Sequence, residues 1–178
     1  GQKGAISEAA RRGEDLFFGE KLECYHCHGG FNFTDNLKHA RTPFAETGFH
    51  NTGLYNEDGR GAWPAASPGI VEFTGEARDA GRFRTPTLRN VAVTAPYMHD
   101  GSIATLSEVL RHHYARAGRA VHQGRAANPL RSEFITGFEI SEAEIADVVA
   151  FLESLTDERF LHDPAHGDPW PAQRKQAD

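Results

Sequence analysis

The most regular hydrophobic pattern in the chain lies near its C-terminal end. Ile145, Val148, Val149, Leu152 and Leu155 recur at three- and four-residue intervals, with Phe151 beside them. That spacing predicts an amphipathic helix, and Ser141 followed three residues later by Glu144 supplies a capping box to start it. A second helix is predicted near the opening. Ser7 is a suitable N-cap, Glu8 opposes the helix dipole in the first turn, and Arg11 and Arg12 give way to the apolar run Leu16, Phe17, Phe18. A third begins at Thr105, where Glu108 completes another capping box, and runs to about Ala117. Between the first and third helices, residues 29–83 show neither period and are rich in Gly, Pro, Asn, Thr and Asp, as in Asn51-Thr52-Gly53, Asp58-Gly59 and Trp63-Pro64. So long a loop suits a compact domain only if it wraps something large. Phe31, Phe33, Phe44, Phe49, Tyr55 and Trp63 would cover whatever is wrapped, although ordinary core packing explains each one as well. The expectation is an all-α domain over residues 1–160, with a few core helices and long loops. A polar, proline-containing tail then follows over 161–178, its last residues, 173–178, free to move or to bind.

Composition narrows the class. A length of 178 residues suits one domain with a sizeable core. The formal charge of -6, with 25 acidic against 19 basic residues, offers no basic surface for nucleic acid. No apolar run approaches the roughly 18 to 20 residues that span a bilayer, so no membrane span is expected. The chain opens on Gly1 and its one methionine is Met98, which reads as a processed mature protein or a fragment.

The chemistry centres on Cys24-Tyr25-His26-Cys27-His28. Two thiols three positions apart with a histidine next in line form the attachment signature of a c-type haem. Cys24 and Cys27 would add to the haem vinyl groups as thioethers, and His28 would sit beneath the iron as proximal ligand. A structural zinc site needs four N or S ligands, the chain has only these two cysteines, and His39 and His50 are wrongly spaced. A thioredoxin-type pair would want a βαβ context, absent here. A Cys24–Cys27 disulfide would close too short a loop to stabilise much. One such motif means one haem, and covalent attachment implies export, most simply to a bacterial periplasm.

The iron's sixth position separates a catalyst from a carrier, because a thioether there closes the site and raises the potential. Met98 lies in the turn-prone segment Ala95-Pro96-Tyr97-Met98-His99-Asp100-Gly101. A methionine is ordinarily core filler, but polar His99 and Asp100 disfavour that here. Met98 is the favoured ligand on chemistry alone, with Tyr97 and His99 as competent alternatives.

Longer motifs carry a family resemblance. Gly81-Arg82-Phe83-Arg84-Thr85-Pro86-Thr87-Leu88-Arg89-Asn90-Val91, running into the Met98 segment and Thr105-Leu106, resembles the C-terminal haem domain of the bacterial di-haem cytochrome c peroxidase and MauG family. Arg12-Gly13-Glu14-Asp15-Leu16-Phe17-Phe18 and Phe49-His50-Asn51-Thr52-Gly53-Leu54 resemble the same family, so the likeness covers roughly residues 8–156. It implies a cytochrome-c-like fold wrapped around one covalent haem c. In the peroxidase branch the position matching Met98 is the methionine ligand of a high-potential electron-transfer haem, whereas MauG has a tyrosine there. The resemblance also makes Arg84 and Arg89 candidates for bidentate contacts to the haem propionates, a solvated or loop-bracing arginine being the alternative. A calcium ion held between two haem domains is a further family feature.

Those enzymes carry a second CxxCH motif, where peroxide is handled, and this sequence holds one. The expectation is therefore the electron-donating half of such an oxidoreductase, not active on peroxide by itself. Electrons would come from a small periplasmic donor and pass to a second haem domain. A variant is a MauG-like enzyme that oxidises tryptophan on a partner protein, against which Met98 argues. The alternative is a self-contained mono-haem periplasmic carrier with no catalytic activity. A carrier should ring a haem edge with charge, and a severed half should expose an apolar face.

Overall fold

The computed structural model describes residues 4–38, 40, 48–118 and 126–169. Helix α1 spans Glu8–Phe18, and the Ser7 hydroxyl caps it by accepting from the Ala10 amide at 3.1 Å. After one helical turn, α2 (Tyr25–His28), and a long loop comes a small antiparallel ribbon of β1 (Phe49–Asn51) and β2 (Arg82–Arg84). Its register pairs Phe49 with Arg84, His50 with Phe83 and Asn51 with Arg82. A short helix α3 (Val71–Thr74) lies between the two strands. The domain is thus helices and long loops with a two-stranded ribbon, not strictly all-α. Three-residue strands are too short for alternation to reveal them in sequence.

A capping box at Thr105 and Glu108 starts α4 (Leu106–Glu108), as predicted, but the third helix then departs from expectation. A π turn (Val109–His113) and a 3-10 turn (Tyr114–Arg116) replace regular α-helix. The π turn widens the helix and buries both Leu110 and His113.

Helix α5 (Glu142–Glu153) starts with the predicted box, Ser141 and Glu144 bonding each other's backbone amides. It packs on α1 to form the core, where Ala10, Phe17, Leu22, Leu110, Ile145, Val148, Phe151, Leu152 and Leu155 are buried together. Burying one Leu, Ile, Val or Phe side chain stabilises by about 1.5–3 kcal/mol. Phe151 sits inside this core, its ring 5.2 Å from that of Phe17, while Val149 is only partly buried. The helices cross closely because Gly13 allows it: a Cβ there would lie 2.0 Å from the Asp147 carbonyl oxygen. Arg12, one residue earlier, grips the Asp147 carboxylate through two 2.7 Å bonds.

Asp157 caps α6 (Glu158–Leu161), and a 3-10 turn at Pro164–His166 lies within the segment read as a tail. Phe44 and residues 173–178 fall outside the described residues. No described helix is long and apolar enough to cross a membrane.

Candidate haem site

One turn of helix sets the spacing of the cysteines. Cys24 caps α2 and Cys27 lies within it, so positions three apart share one side of the turn. Neither thiol is in a disulfide. Burial pushes Cys24 up to about 12, helped by nearby Cys27. Burial and then Asp35 push Cys27 up to about 11. Cys24 and Phe33 both pack against the α1–α5 core, which anchors the motif to the helices.

His28 is oriented by the loop beyond it. Phe33 adopts a φ of 52°, and its carbonyl accepts from His28 Nδ1 at 3.0 Å. That bond fixes the tautomer and leaves Nε2 with its lone pair, the arrangement of a metal-ligating imidazole. Burial lowers the His28 pKa despite the bond to Phe33, so the ring is held neutral. Two unbridged thiols on one side of a helical turn and a neutral, oriented imidazole fit a covalent haem c.

A second layer fixes this loop. The Asp35 amide donates to the Cys27 carbonyl at 2.9 Å, and the Asp35 carboxylate pairs with His50 Nε2 at 2.6 Å. Strand β1 delivers His50, so the ribbon braces the haem motif. Sequence reasoning passed over Asp35 and saw His50 only as a wrongly spaced zinc ligand and as part of a family motif. Thr34 Oγ1 donates to the Thr85 carbonyl at 2.8 Å, and Thr87 Oγ1 to the Asn32 carbonyl. Arg89 Nε donates to the Phe31 carbonyl at 3.1 Å, with the guanidinium 5.5 Å over the Phe33 ring. Asn90, at φ 63°, accepts from the Asp157 amide and donates its own amide to the Leu155 carbonyl. The segment 85–90 therefore ties the loop after the haem motif to the end of α5. Arg84 lies exposed on β2.

Met98 is half-buried with a φ of 71°, a conformation uncommon outside glycine. Its turn is held by the Tyr97–Ile103 bridge, with Tyr97 N donating to the Ile103 carbonyl at 2.7 Å, and by the Gly101 amide on the Met98 carbonyl. The Tyr97 hydroxyl is directed to the Ala92 carbonyl at 3.4 Å, and the His99 ring bonds Ser67 Oγ at 2.7 Å.

No family model matches the chain. Individual relatives do. It is 33% identical over 157 residues to the methylamine utilization protein MauG of Methylophilus methylotrophus, matching 87% of this chain and 39% of that protein. It is 36% identical over 177 residues to the cytochrome-c peroxidase IdrP1 of Denitromonas iodatirespirans, matching 92% and 44%. The chain belongs to the MauG and di-haem cytochrome c peroxidase family. A solved MauG-like protein associated with microbial copper homeostasis is 49% identical, with a TM-score of 0.85 over 93% of this chain and 48% of that one. The di-haem peroxidase BthA of Burkholderia thailandensis, 22% identical with a TM-score of 0.56, shares the fold. The chain thus spans about half the length of the relatives it matches or less. The family's chemistry is haem-based redox, and its cofactor is haem c.

Proposed function

We propose that this chain is the high-potential electron-transfer haem domain of a two-haem oxidoreductase of this family. It would hold one haem c through Cys24 and Cys27, with His28 and Met98 as axial ligands. Bound haem iron supplies one-electron redox chemistry. The observation that carries the reading is the oriented His28 on the CxxCH turn, its Nδ1 locked to Phe33. The strained Met98 turn supports the second ligand, since Tyr97 and His99 are directed to Ala92 and Ser67. A thioether there keeps small ligands off the iron. Arg89, beside the His28 loop, and Arg84 on β2 are the candidates for the propionates.

The length of the relatives supports a second haem domain beyond residues 1–160, with 161–178 as a tail. Exposed aromatic rings flank the haem motif: Phe134 stacks on His26 at 4.5 Å, and Phe18 and Phe31 are also exposed. Such surface favours a covering partner over a free carrier. Among the described residues no group of three or more His, Cys, Asp or Glu is gathered to hold a metal. Covalent haem c implies a periplasmic protein with a small electron-donor protein as partner. The 49% identity to a MauG-like protein associated with copper homeostasis favours the MauG-like branch for the whole enzyme.

Replacing Met98 by alanine tests the ligand set. The oxidised haem-loaded wild type is expected to show the near-infrared sulfur–iron charge-transfer band and, once reduced, to refuse carbon monoxide. Met98→Ala should lose the band, bind carbon monoxide and fall in potential by a sizeable part of the roughly 0.8 V range that axial ligands command. Unchanged coordination in the variant would assign the position to another residue.

A further inference from the structure

Trp63 is 6% exposed, and its indole Nε1 is buried with no hydrogen-bond partner among the described residues. A buried indole N–H usually finds a partner, because a donor left bare carries the full cost of its lost hydration. The atoms around the ring do not supply one. Gly81, at φ 71°, lies against it, and a Cβ there would fall 1.9 Å from Nε1, 2.1 Å from Cε2 and 2.4 Å from Cδ1. A point beyond the N–H would lie much farther from the two carbons than from the nitrogen. Gly81 therefore roofs the face of the ring and does not meet its N–H edge. The Pro68 carbonyl holds this roof, accepting from the Gly81 amide at 2.7 Å. The polar atoms of the neighbouring rings are engaged elsewhere, the Tyr55 hydroxyl with Asp100 and the His99 ring with Ser67 Oγ, each at 2.7 Å.

We propose that the Trp63 indole N–H donates to a carboxylate of the haem, one of its two propionates, and makes Trp63 a positioning residue for the cofactor. This deepens the haem reading under Proposed function and rests on it.

Trp63 stands on the side of the domain where that reading puts the sixth ligand. His99, next in sequence to Met98, stacks on Phe83 with centroids 3.7 Å apart, and Trp63 lies 5.2 Å from Phe83 and 6.2 Å from His99. The chemistry of the two groups is complementary. An indole N–H only donates and an ionised carboxylate only accepts, and a carboxylate is buried without great cost only when it is hydrogen-bonded. Arg84 and Arg89 are both exposed, and Arg89 already bonds the Phe31 carbonyl. Arginines so placed suit a propionate that reaches solvent. A propionate turned inward needs a buried donor, and Trp63 is a buried donor whose bond is unspent. Such a bond to an ionised acceptor is of the stronger, charge-assisted kind. It also draws electron density from the carboxylate, so its loss should lower the potential of the haem.

The test uses the full-length, haem-loaded protein. Replacing Trp63 by benzothienylalanine puts sulfur where the N–H stands and keeps the shape of the ring, so the donor alone is lost. Trp63→Phe is the encoded counterpart. Resonance Raman difference spectra should show the propionate bending band shifted in both variants, and shifted in the wild type on transfer to heavy water. The sulfur–iron charge-transfer band of the oxidised protein should stay in place. A ring that serves packing only would leave the propionate band unmoved in the benzothienylalanine variant, and that result overturns the proposal even if the potential changes. Nitrogen-15 labelling of the two tryptophans, Trp63 and Trp170, supplies a second reading by nuclear magnetic resonance of the reduced protein. The indole signal missing from Trp63→Phe should be the slowly exchanging one, and exchange as fast as in free tryptophan also overturns the proposal. A protein whose mass and visible spectrum show no covalent haem on Cys24 and Cys27 fails the haem reading itself and takes the Trp63 bond with it.

Discussion

At the residue scale, each group at the site is set by a short bond to a backbone atom or a single partner. His28 is aimed by one carbonyl, that of Phe33, and Asp35 is held between the Cys27 carbonyl and His50. Charged side chains secure helix α5 in the same pairwise way. Lys21 and the Ser141 amide hold the Glu144 carboxyl at about 2, Arg12 holds Asp147 below its usual range, and Arg111 does the same for Glu142. A carboxyl depressed by folding adds stability that is full above its unfolded pKa and is lost as pH falls through its folded value. Thermal melts should therefore show stability falling as pH drops from the ordinary carboxylate range toward about 2, with a shallower slope in Glu144→Gln. An equal slope in the variant would mean that Glu144 contributes nothing. The Cys24, Cys27 and His28 roles are legible in sequence because covalent attachment demands a local spacing. The Asp35–His50 pair and the Gly81 roof over Trp63 are not, because these residues are distant in sequence and meet only once the ribbon has formed.

Elements obey their caps more faithfully than their periods. Ser7, Thr105 and Ser141 each start a helix where the sequence says, because a side-chain oxygen satisfies an amide within its own turn. Beyond the cap, the course of the chain depends on packing. After Glu108, burial of Leu110 and His113 selects a π turn over the continued α-helix that the pattern predicts. The α1–α5 crossing rests on Gly13, whose missing side chain lets the Asp147 carbonyl approach. Gly13→Ala should lower stability by about 1–3 kcal/mol, as overpacking does, read as a shift of the urea midpoint at unchanged slope. An unchanged midpoint would mean that the helices separate there without cost. The same glycine stands in the Arg12-Gly13-Glu14-Asp15-Leu16-Phe17 motif, so part of the family likeness is the fit of two helices and not haem chemistry.

For the whole molecule, the 85–90 segment shows how that likeness divides. Arg89, named in sequence as a propionate candidate, braces the Phe31 carbonyl, and Asn90 ties the end of α5. Met98 then comes within the same run of chain, so one continuous stretch links the helical core, the His28 loop and the proposed second axial ligand. That continuity suits a haem whose coordination changes little between oxidation states, as an electron-transfer centre needs. Relatives about twice as long, and aromatic rings exposed around the haem motif, support the proposal that this domain works within a larger oxidoreductase. The most direct test is the intact mass and haem count of the protein purified from its native source with proteolysis suppressed. A longer polypeptide carrying two haems is the predicted result. One haem on a chain of 178 residues would contradict it and leave a self-contained electron carrier.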